Sequence, residues 1–317
     1  RRVRTGLPAG RYDVLLPSEL GFSLPKENLN SDVHIGYDAM VRWTDNINDF
    51  NYSVAGNVTY SRFYDWEQYD DRRSNSWDRY RNSIWHRVGY INWGHEVVGR
   101  FKDWEDIANY PIDNDRKGNT TIVPGDFKYK DVNGDGVING MDERPIGYRS
   151  DSTPNLNYGI NVAASWKGFD FAMDWTGSGL SSWAQRYETA RPFQNDGNSP
   201  SEVFKDAWHL ADIWDADSEL IPGKYPLVRL GDNDSSYWTS DFWLHNVRYI
   251  KLRNLELGYT LPKVITTKAG ISSMRVYLSG TNLLTFSNVP VDPEGIADNG
   301  LDYPTMRVIN IGVNLKF

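Results

Sequence analysis

The chain has 317 residues, a net charge of −8 and no Cys. The acidic balance argues against nucleic-acid binding, which needs a basic face, and the lack of Cys excludes disulfides and thiolate metal sites. Mean hydropathy is −0.60, and no segment approaches the roughly 18 consecutive apolar residues of a membrane helix, which excludes a helical membrane protein. Aromatic residues still make up 14% of the chain. This fits either a soluble carbohydrate-binding sandwich or a membrane barrel with apolar residues at alternate positions.

Seven segments alternate apolar and polar residues with a period of two, which predicts strands with one apolar face. In chain order they cover residues 34–43, 50–61, 156–166, 169–175, 242–261, 273–284 and 308–317. Most are longer than the five or six residues typical of sandwich strands, so a barrel is favoured over a sandwich.

Two details of the alternation predict local geometry. A two-residue turn at 167–168 places Trp166 opposite Phe169, so that the apolar faces match across the hairpin. Near Leu252 the alternation falls out of phase with Leu255, which predicts a bulge in the strand over 242–261.

The connections between these strands alternate between short and long. The long ones cover residues 62–154 and 177–241. Bacterial barrels have short periplasmic turns and long external loops. We therefore predict an all-β fold, a transmembrane antiparallel β-barrel with long extracellular loops. Seven strands are an odd number and fewer than a closed barrel needs, so we expect further strands before Arg1.

Residues 131–142 have the spacing of a calcium-binding loop. The oxygen ligands at positions one, three, five, seven and twelve are Asp131, Asn133, Asp135, the carbonyl of Val137, and Asp142. Gly136 stands at the sharp turn of position six. Position twelve is Asp where sensor loops have Glu, and no amphipathic helix pair flanks the loop. The loop therefore predicts a structural calcium ion, with a metal-free turn as the alternative.

Short motifs spread over most of the chain together resemble the SusC/RagA-like TonB-dependent transporters. They include Trp104-Glu105-Asp106-Ile107, Pro124-Gly125-Asp126-Phe127-Lys128-Tyr129 running into the calcium-type loop, Lys167-Gly168-Phe169-Asp170, Leu257-Gly258-Tyr259, Ser279-Gly280-Thr281-Asn282-Leu283 and Asp292-Pro293-Glu294. The resemblance implies the C-terminal part of a 22-stranded barrel in the bacterial outer membrane, with an N-terminal plug that would precede Arg1.

The same resemblance implies the partners. These are TonB, acting through the N-terminal region, a SusD-like surface lipoprotein and the surrounding outer-membrane lipid. The implied activity is active import of oligosaccharides or oligopeptides. The last strand, with Val313, Leu315 and the aromatic C-terminus Phe317 on one face, resembles the signal that barrel-insertion machinery reads.

Tryptophans in and beside the two long loops are candidates for contact with substrate or partner, because exposed aromatic side chains are frequent anchors. The candidates are Trp66, Trp77, Trp85, Trp183 and Trp238. The alternative is that the loops need small cores of their own, which Trp supplies. A predicted capped helix over residues 202–210 supports that alternative.

Two other functions remain as alternatives. One is a soluble calcium-stabilised carbohydrate-binding β-sandwich. The other is a barrel hydrolase, for which neighbouring carboxylates such as Asp70 and Asp71 would be needed. No nucleophile elbow, Walker loop or dinucleotide fingerprint appears, so we do not expect an enzyme.

Overall fold

A computed structural model of the chain describes residues 1–10, 17–22, 24–69, 73–149, 153–231, 234–295 and 302–317. The strands are β1 Arg2–Ala9, β2 Glu27–Ile47, β3 Phe50–Glu67, β4 Arg87–Val88, β5 Ile91–Gly94, β6 Val97–Arg100, β7 Phe127–Tyr129, β8 Arg144–Arg149, β9 Leu156–Trp166, β10 Phe169–Ala184, β11 His209–Leu210, β12 Leu220–Ile221, β13 Leu244–Thr260, β14 Ser273–Ser287 and β15 Val308–Lys316. The α-helices are α1 Ser76–Asn82, α2 Trp104–Ala108, α3 Ser201–Lys205 and α4 Lys263–Thr266. In these ranges no helix is long and apolar enough to cross a membrane.

One antiparallel sheet, here called the wall, organises the chain. Its strands follow the order β1-β2-β3-β9-β10-β13-β14-β15, so each wall strand pairs with the next one along the chain. This is the meander of an up-and-down barrel. The short β4 pairs with the end of β3, and the pairs β5-β8, β6-β7 and β11-β12 form small sheets within the loops. The all-β antiparallel fold predicted from the alternation is confirmed.

All seven predicted strands are present in the wall, but the count of seven is wrong. An eighth wall strand, β1, pairs antiparallel with β2 from Arg2 opposite His34 to Ala9 opposite Glu27. The register of this pair shifts twice between Arg4 and Pro8. Such irregular pairing leaves no clean alternation in the sequence, which explains why β1 escapes a periodicity argument. Several predicted strands also extend further, so the long connections run over 68–155 and 185–243.

The register confirms both local predictions. Trp166 pairs with Phe169 across the turn, and Lys167 and Gly168 both have positive φ (45° and 91°), as a type I′ hairpin requires. In β13 the register shifts between Leu252 and Asn254 against both neighbouring strands. Against β10, Arg253 is therefore the extra residue of a bulge, which causes the observed change of phase. Against β14 the extra residue lies on the partner strand, where Asn282 and Leu283 stand opposite Arg253.

Cross-strand pairing also aligns aromatic side chains beside the short turns. A continuous row of partners crosses six strands at this end of the wall: Phe50, Trp166, Phe169, Tyr259, Val276 and Val313. Its first four members are aromatic. The aromatic residues of separate strands thus form one band, here called the aromatic row.

The apolar face of the wall is open. Trp166 is 50% exposed, Phe169 57% and Ile311 80%. In a β-sandwich these side chains would pack against a second sheet. Among the described residues no second sheet packs on the apolar face of the wall, so the architecture is not the β-sandwich of that alternative.

The opposite face of the wall is polar and hydrogen-bonded across strands. Asn161 donates to the carboxylate of Asp174 at 2.7 Å. Arg275 donates to Asp170 at 3.0 Å through Nε and to Glu256 at 2.6 Å through Nη2. Charged side chains on this face are held by partners on neighbouring strands.

Candidate functional site

The two long loops share one hydrophobic core, here called the loop core. Its buried members come from both connections: Phe127, Tyr129 and Ile138 from the first, and Ala190, Val203, Ala207, Tyr225 and Trp243 from the second. A buried core with members from both connections fixes the loops against each other. The loops therefore form one packed unit.

A buried carboxylate stabilises this unit. Asp126 is almost fully buried, accepts a hydrogen bond from Arg229 at 2.7 Å and another from the Ser236 hydroxyl at 2.8 Å. Burial raises the pKa of Asp126, while Arg229 and the hydrogen bonds oppose that rise. Since its oxygens are used as acceptors between the two loops, Asp126 has a structural role.

The predicted calcium loop follows directly after the loop-core strand β7. The Asp131 carboxylate accepts hydrogen bonds from the backbone N–H groups of Gly134 and Gly136 at 2.7 and 2.8 Å. The Asp142 carboxylate is fully buried and accepts from Val132 at 2.9 Å and from Asn139 at 2.8 Å. These carboxylates close the loop from both ends.

Two of the remaining predicted ligands, Asp135 and the Val137 carbonyl, are bridged by a side chain of the loop itself. One amide nitrogen, Nδ2 of Asn139, lies 3.3 Å from Asp135 Oδ2 and 3.0 Å from the Val137 carbonyl oxygen. The Asn133 amide donates to the same Asp135 oxygen at 2.9 Å. Hydrogen bonds from the Val137 backbone and from Asn133 lower the pKa of Asp135. Two amide nitrogens thus donate to Asp135, while the Asn133 amide oxygen accepts from the Asp135 backbone N–H at 3.2 Å.

The donor chemistry at this point suits a hard cation, because carboxylate, amide and backbone oxygens are the ligands that calcium prefers. Asn139, at position nine, belongs to the same group and was not among the predicted ligands. Among the described residues, no group of three or more His, Asp or Glu side chains converges as a metal cluster. The structure therefore does not bring the predicted carboxylates Asp131, Asp135 and Asp142 together as one cluster, and a cation here would need mixed oxygen donors.

The loop is anchored to the loop core. Ile138 is fully buried there. Asp113 N–H donates to the Gly136 carbonyl at 2.8 Å, and Ile138 N–H donates to the Asp113 carbonyl at 2.9 Å. Arg116 Nε donates to the Ile138 carbonyl at 2.9 Å. Changes in the calcium-type loop are thus coupled to the packing of both long loops.

Three of the candidate tryptophans lie at or near the end of β3. Trp66 is within β3, and its ring centroid lies 4.6 Å from that of His86. Trp85 is 54% exposed, and its ring centroid lies 4.7 Å from that of the same His86. Trp77, in α1, packs against the Arg144 guanidinium, 4.9 Å from its ring centroid. The structure thus brings Trp66 and Trp85 together, with Trp85 offering free surface.

Trp183 has a different environment. It lies within β10, is fully buried at 0% exposure, and stacks on His245 at 5.4 Å between centroids. It packs in a small cluster with Val247 and Val289. Trp183 therefore has no surface free for a substrate in this conformation. It fills a core, in agreement with the alternative that the loop tryptophans serve packing.

Trp238 combines packing and access. It stacks on the loop-core residue Tyr129 at 5.7 Å, and it borders a cavity of about 440 Å³. The cavity is also lined by Arg186 and by Arg191, which forms an ion pair with Asp234. No motif in the sequence pointed to these charged residues, since only the folding of the second loop brings them together.

Several sequence predictions have limited structural counterparts. Val313, Leu315 and Phe317 lie exposed on the apolar side of β15, the last strand of the wall. The predicted helix over 202–210 is wrong beyond Lys205, where α3 ends. Asp70 and Asp71 lie outside the described residues.

Comparison with known proteins gives a consistent picture. No protein-family model matches the chain. TonB-dependent receptor P3 of Formosa agariphila is 29% identical over 240 residues, which cover 70% of this chain and 22% of the relative. TonB-dependent receptor SusC of Bacteroides thetaiotaomicron is 26% identical over 243 residues, covering 73% and 20%. The chain therefore spans about a fifth of the length of these relatives.

Solved structures share the fold. The RagAB peptide importer in its open-open state superposes with a TM-score of 0.65 at 21% identity, over 99% of this chain and 32% of that one. The RagAB peptide transporter gives a TM-score of 0.63 at 21% identity. The relatives and the shared fold together confirm the family resemblance that the sequence motifs indicate.

Proposed function

We propose that this chain, a relative of the SusC/RagA-like TonB-dependent transporters, forms part of the barrel wall and surface loops of an active importer in the bacterial outer membrane. The cargo is an oligosaccharide or an oligopeptide. The observation that carries the proposal is the open apolar face of the wall with its aromatic row. An exposed apolar band bordered by aromatic side chains is what a lipid-facing barrel surface requires.

The dimensions support this proposal. Strand β9 has 11 residues, which at about 3.4 Å per residue give a length of roughly 37 Å. A tilt of about 40° reduces the height to about 28 Å, close to the apolar band of about 25 Å of outer-membrane barrels. Strand β9 would thus span the apolar band with the aromatic row at one interface, while longer strands such as β2, with 21 residues, would extend beyond the membrane.

The polar face supports a water-filled interior. The network of Arg275 with Asp170 and Glu256 lies on that face, and charged groups of this kind are tolerated in a lumen but not in lipid. The two long loops follow the ends of β3 and β10 that lie away from the aromatic row. The loop core would then lie at the external mouth, where cargo arrives.

The proposed partners follow from the relatives. TonB would supply energy through a part of the protein outside this chain, and a SusD-like surface lipoprotein would bind at the external mouth. Trp238, beside its cavity, and the exposed Trp85 are the best placed of the candidate residues to contact cargo. An aromatic ring beside charged side chains can bind sugar rings as well as peptide side chains.

The test is uptake by cells that produce the whole transporter. Labelled oligopeptides and oligosaccharides are offered separately, and accumulation is compared with cells in which TonB is deleted. We expect TonB-dependent accumulation of one class, and outer-membrane fractionation with heat-modifiable gel mobility. A protein recovered in the aqueous fraction, or equal accumulation without TonB, would contradict the proposal.

We also propose that residues 131–142 bind a structural calcium ion. Asp135, the Val137 carbonyl and Asn133 would hold it where the Asn139 amide now bridges two oxygens, and Asp131 and Asp142 would complete the set. Positive charge at this point would neutralise Asp135 and rigidify the loop.

Chelation tests the calcium proposal. Removing calcium with EGTA should speed limited proteolysis within the first long loop, and added calcium should restore the original rate. The Asp135→Asn variant should show the fast rate with and without calcium. Identical proteolysis of the wild-type protein in EGTA and in calcium would refute the ion's role.

A further inference from the structure

An extended hairpin projects from the second long loop. It comprises residues 209–221 and is here called the acidic arm. Its strands β11 and β12 pair His209 with Ile221 and Leu210 with Leu220, and the Ala211 N–H donates to the Glu219 carbonyl at 2.8 Å. The arm is therefore a defined element.

The base of the arm is fixed to the loop core. Trp208 N–H donates to the Tyr225 carbonyl and Tyr225 N–H donates to the Asp206 carbonyl, both at 2.9 Å. Ala207 and Tyr225 are buried in the loop core. This anchorage also explains why α3 stops before Ala207. The arm thus projects from a rigid support.

The tip of the arm holds its own shape. Asp212 Oδ1 accepts from the Trp214 N–H at 2.9 Å, and the Ser218 hydroxyl donates to the Asp212 carbonyl at 3.0 Å. The Asp217 N–H donates to Asp215 Oδ1 at 3.0 Å. These bonds involve backbone and short polar side chains, so they do not depend on the indole of Trp214.

This fixed tip presents apolar side chains to solvent. Trp214 is 90% exposed, and the neighbouring Ile213 is 73% exposed. Four acidic residues and no Lys or Arg lie in the arm: Asp212, Asp215, Asp217 and Glu219. Trp is the residue type most enriched among interface hot spots, and here it is displayed within a negative rim.

We propose that the acidic arm is a docking element for a partner protein, with Trp214 inserting into an apolar pocket bordered by Lys and Arg side chains. Trp214 is 90% exposed and lies outside the cavity described above, whereas sites for small molecules such as sugars are concave. The four carboxylates would be repelled by anionic lipid headgroups and attracted by a basic rim. A basic-rimmed protein pocket is thus the complementary surface.

The identity of the partner rests on the proposed function, under which it is the surface lipoprotein at the external mouth. With Trp214 at the tip of a rigid arm, the lipoprotein would stay bound to the transporter at one fixed point. Trp214 would supply affinity, while Asp217 and Glu219 would steer association. The hydrogen bonds of the tip use the side chains of Asp212, Asp215 and Ser218, so Asp217 and Glu219 can be changed without removing them.

The experiment measures binding of the purified lipoprotein to the whole transporter in detergent. Trp214→Ala should weaken binding about 30-fold or more, as expected of a hot spot. The matched control is Trp104→Ala, since Trp104 is also exposed but lies in the first loop; it should change binding less than about twofold. Asp217→Lys with Glu219→Lys should slow association and reduce its salt dependence.

The outcomes separate this inference from the proposed function. Unchanged binding of the Trp214→Ala variant overturns the inference and leaves import untouched. A wild-type transporter that binds no lipoprotein overturns it as well. A photo-crosslinker at position 214 should label the lipoprotein, and labelling of lipid, sugar or a second copy of the chain overturns it. Normal lipoprotein docking through Trp214 without uptake of any cargo would support the arm and refute the importer.

Discussion

Replacing Asp292 with Asn is expected to loosen the loop between β14 and β15. This loop is tied to β13 through Lys251, whose side chain is only 1% exposed. Lys251 Nζ donates to Asp292 at 3.3 Å, to Glu294 at 2.9 Å and to the Thr305 hydroxyl at 3.0 Å. Asp292 also accepts from the Thr305 backbone N–H at 2.7 Å. Asp292 is thus the acceptor that joins both ends of the loop to the wall.

The magnitude follows from the pKa of Asp292. Burial alone would raise this pKa, but the hydrogen bonds from Thr305 and Glu294 and the charge of Lys251 prevail and lower it from 3.8 to about 2. The difference corresponds to about 2 kcal/mol of stabilisation of the closed loop, or about 30-fold in the opening equilibrium. Because the pKa is lowered, this contribution is complete above about pH 4 and is lost as the pH falls through about 2.

Hydrogen exchange of the whole transporter in detergent measures the effect. In Asp292→Asn, the amides of Glu294 and Thr305 should exchange about 30-fold faster at neutral pH, after correction for intrinsic rates. The Ala211 amide of the acidic arm should not change. The control Asp217→Asn removes a carboxylate from the exposed arm and should leave the loop protected. Protection of Thr305 within threefold of wild type, or equal acceleration at Ala211, would refute the reasoning.

Three further predictions concern stability. Gly168→Ala should destabilise the wall by about 1 kcal/mol or more, because φ at this position is +91° and a Cβ would lie 2.8 Å from the Thr260 carbonyl oxygen. Gly99→Ala is the control, since a Cβ there would meet open space. Equal heat-modifiability of the two variants would contradict the prediction. Trp183→Ala should cost about 3–5 kcal/mol through the cavity it leaves, measured by denaturant unfolding, and a loss under 1 kcal/mol would contradict its burial. Arg229→Met should cost about 3–5 kcal/mol by leaving Asp126 buried without its cation, and addition of Asp126→Asn should recover part of the loss, whereas additive losses would refute the pairing.

The wall was predictable because its physics is local. A strand with one apolar face repeats every two residues, and each hairpin turn then fixes the register. The alternation across Lys167-Gly168 therefore predicted the pairing of Trp166 with Phe169 that the structure contains. The bulge at Arg253 was also visible, because one inserted residue reverses the phase of everything that follows it.

The loops were less predictable because their structure depends on distant contacts. The sequence over 202–210 has helical character, but α3 ends at Lys205 because Ala207 pairs with Tyr225 and enters the loop core. Tertiary packing overrides local propensity at that point. The same dependence explains Trp183, since only the pairing of β10 with β13 reveals that this residue is covered.

The calcium-type loop lies between these cases. Its twelve-residue spacing predicts five oxygen ligands, and in the structure the Asn139 amide bridges two of them, Asp135 and the Val137 carbonyl, while Asn133 donates its amide nitrogen to Asp135. The spacing could not show that Asp142 would be fully buried, nor that Ile138 would join the core of both long loops. Those features depend on how the loop packs, and they tie the predicted ion site to the surface of the second loop.

The two populations of aromatic residues explain how a polar chain can carry so many of them. One population forms the aromatic row on the open apolar face of the wall, which lipid would cover under the proposed function. The other forms the loop core and supports the acidic arm through Tyr225. Trp214 belongs to neither population, because it contacts neither the wall's apolar band nor the loop core and is held in solvent by a rigid tip. An indole held at 90% exposure on a hydrogen-bonded tip leaves its apolar surface free for another surface to cover, which is the role that we propose for it.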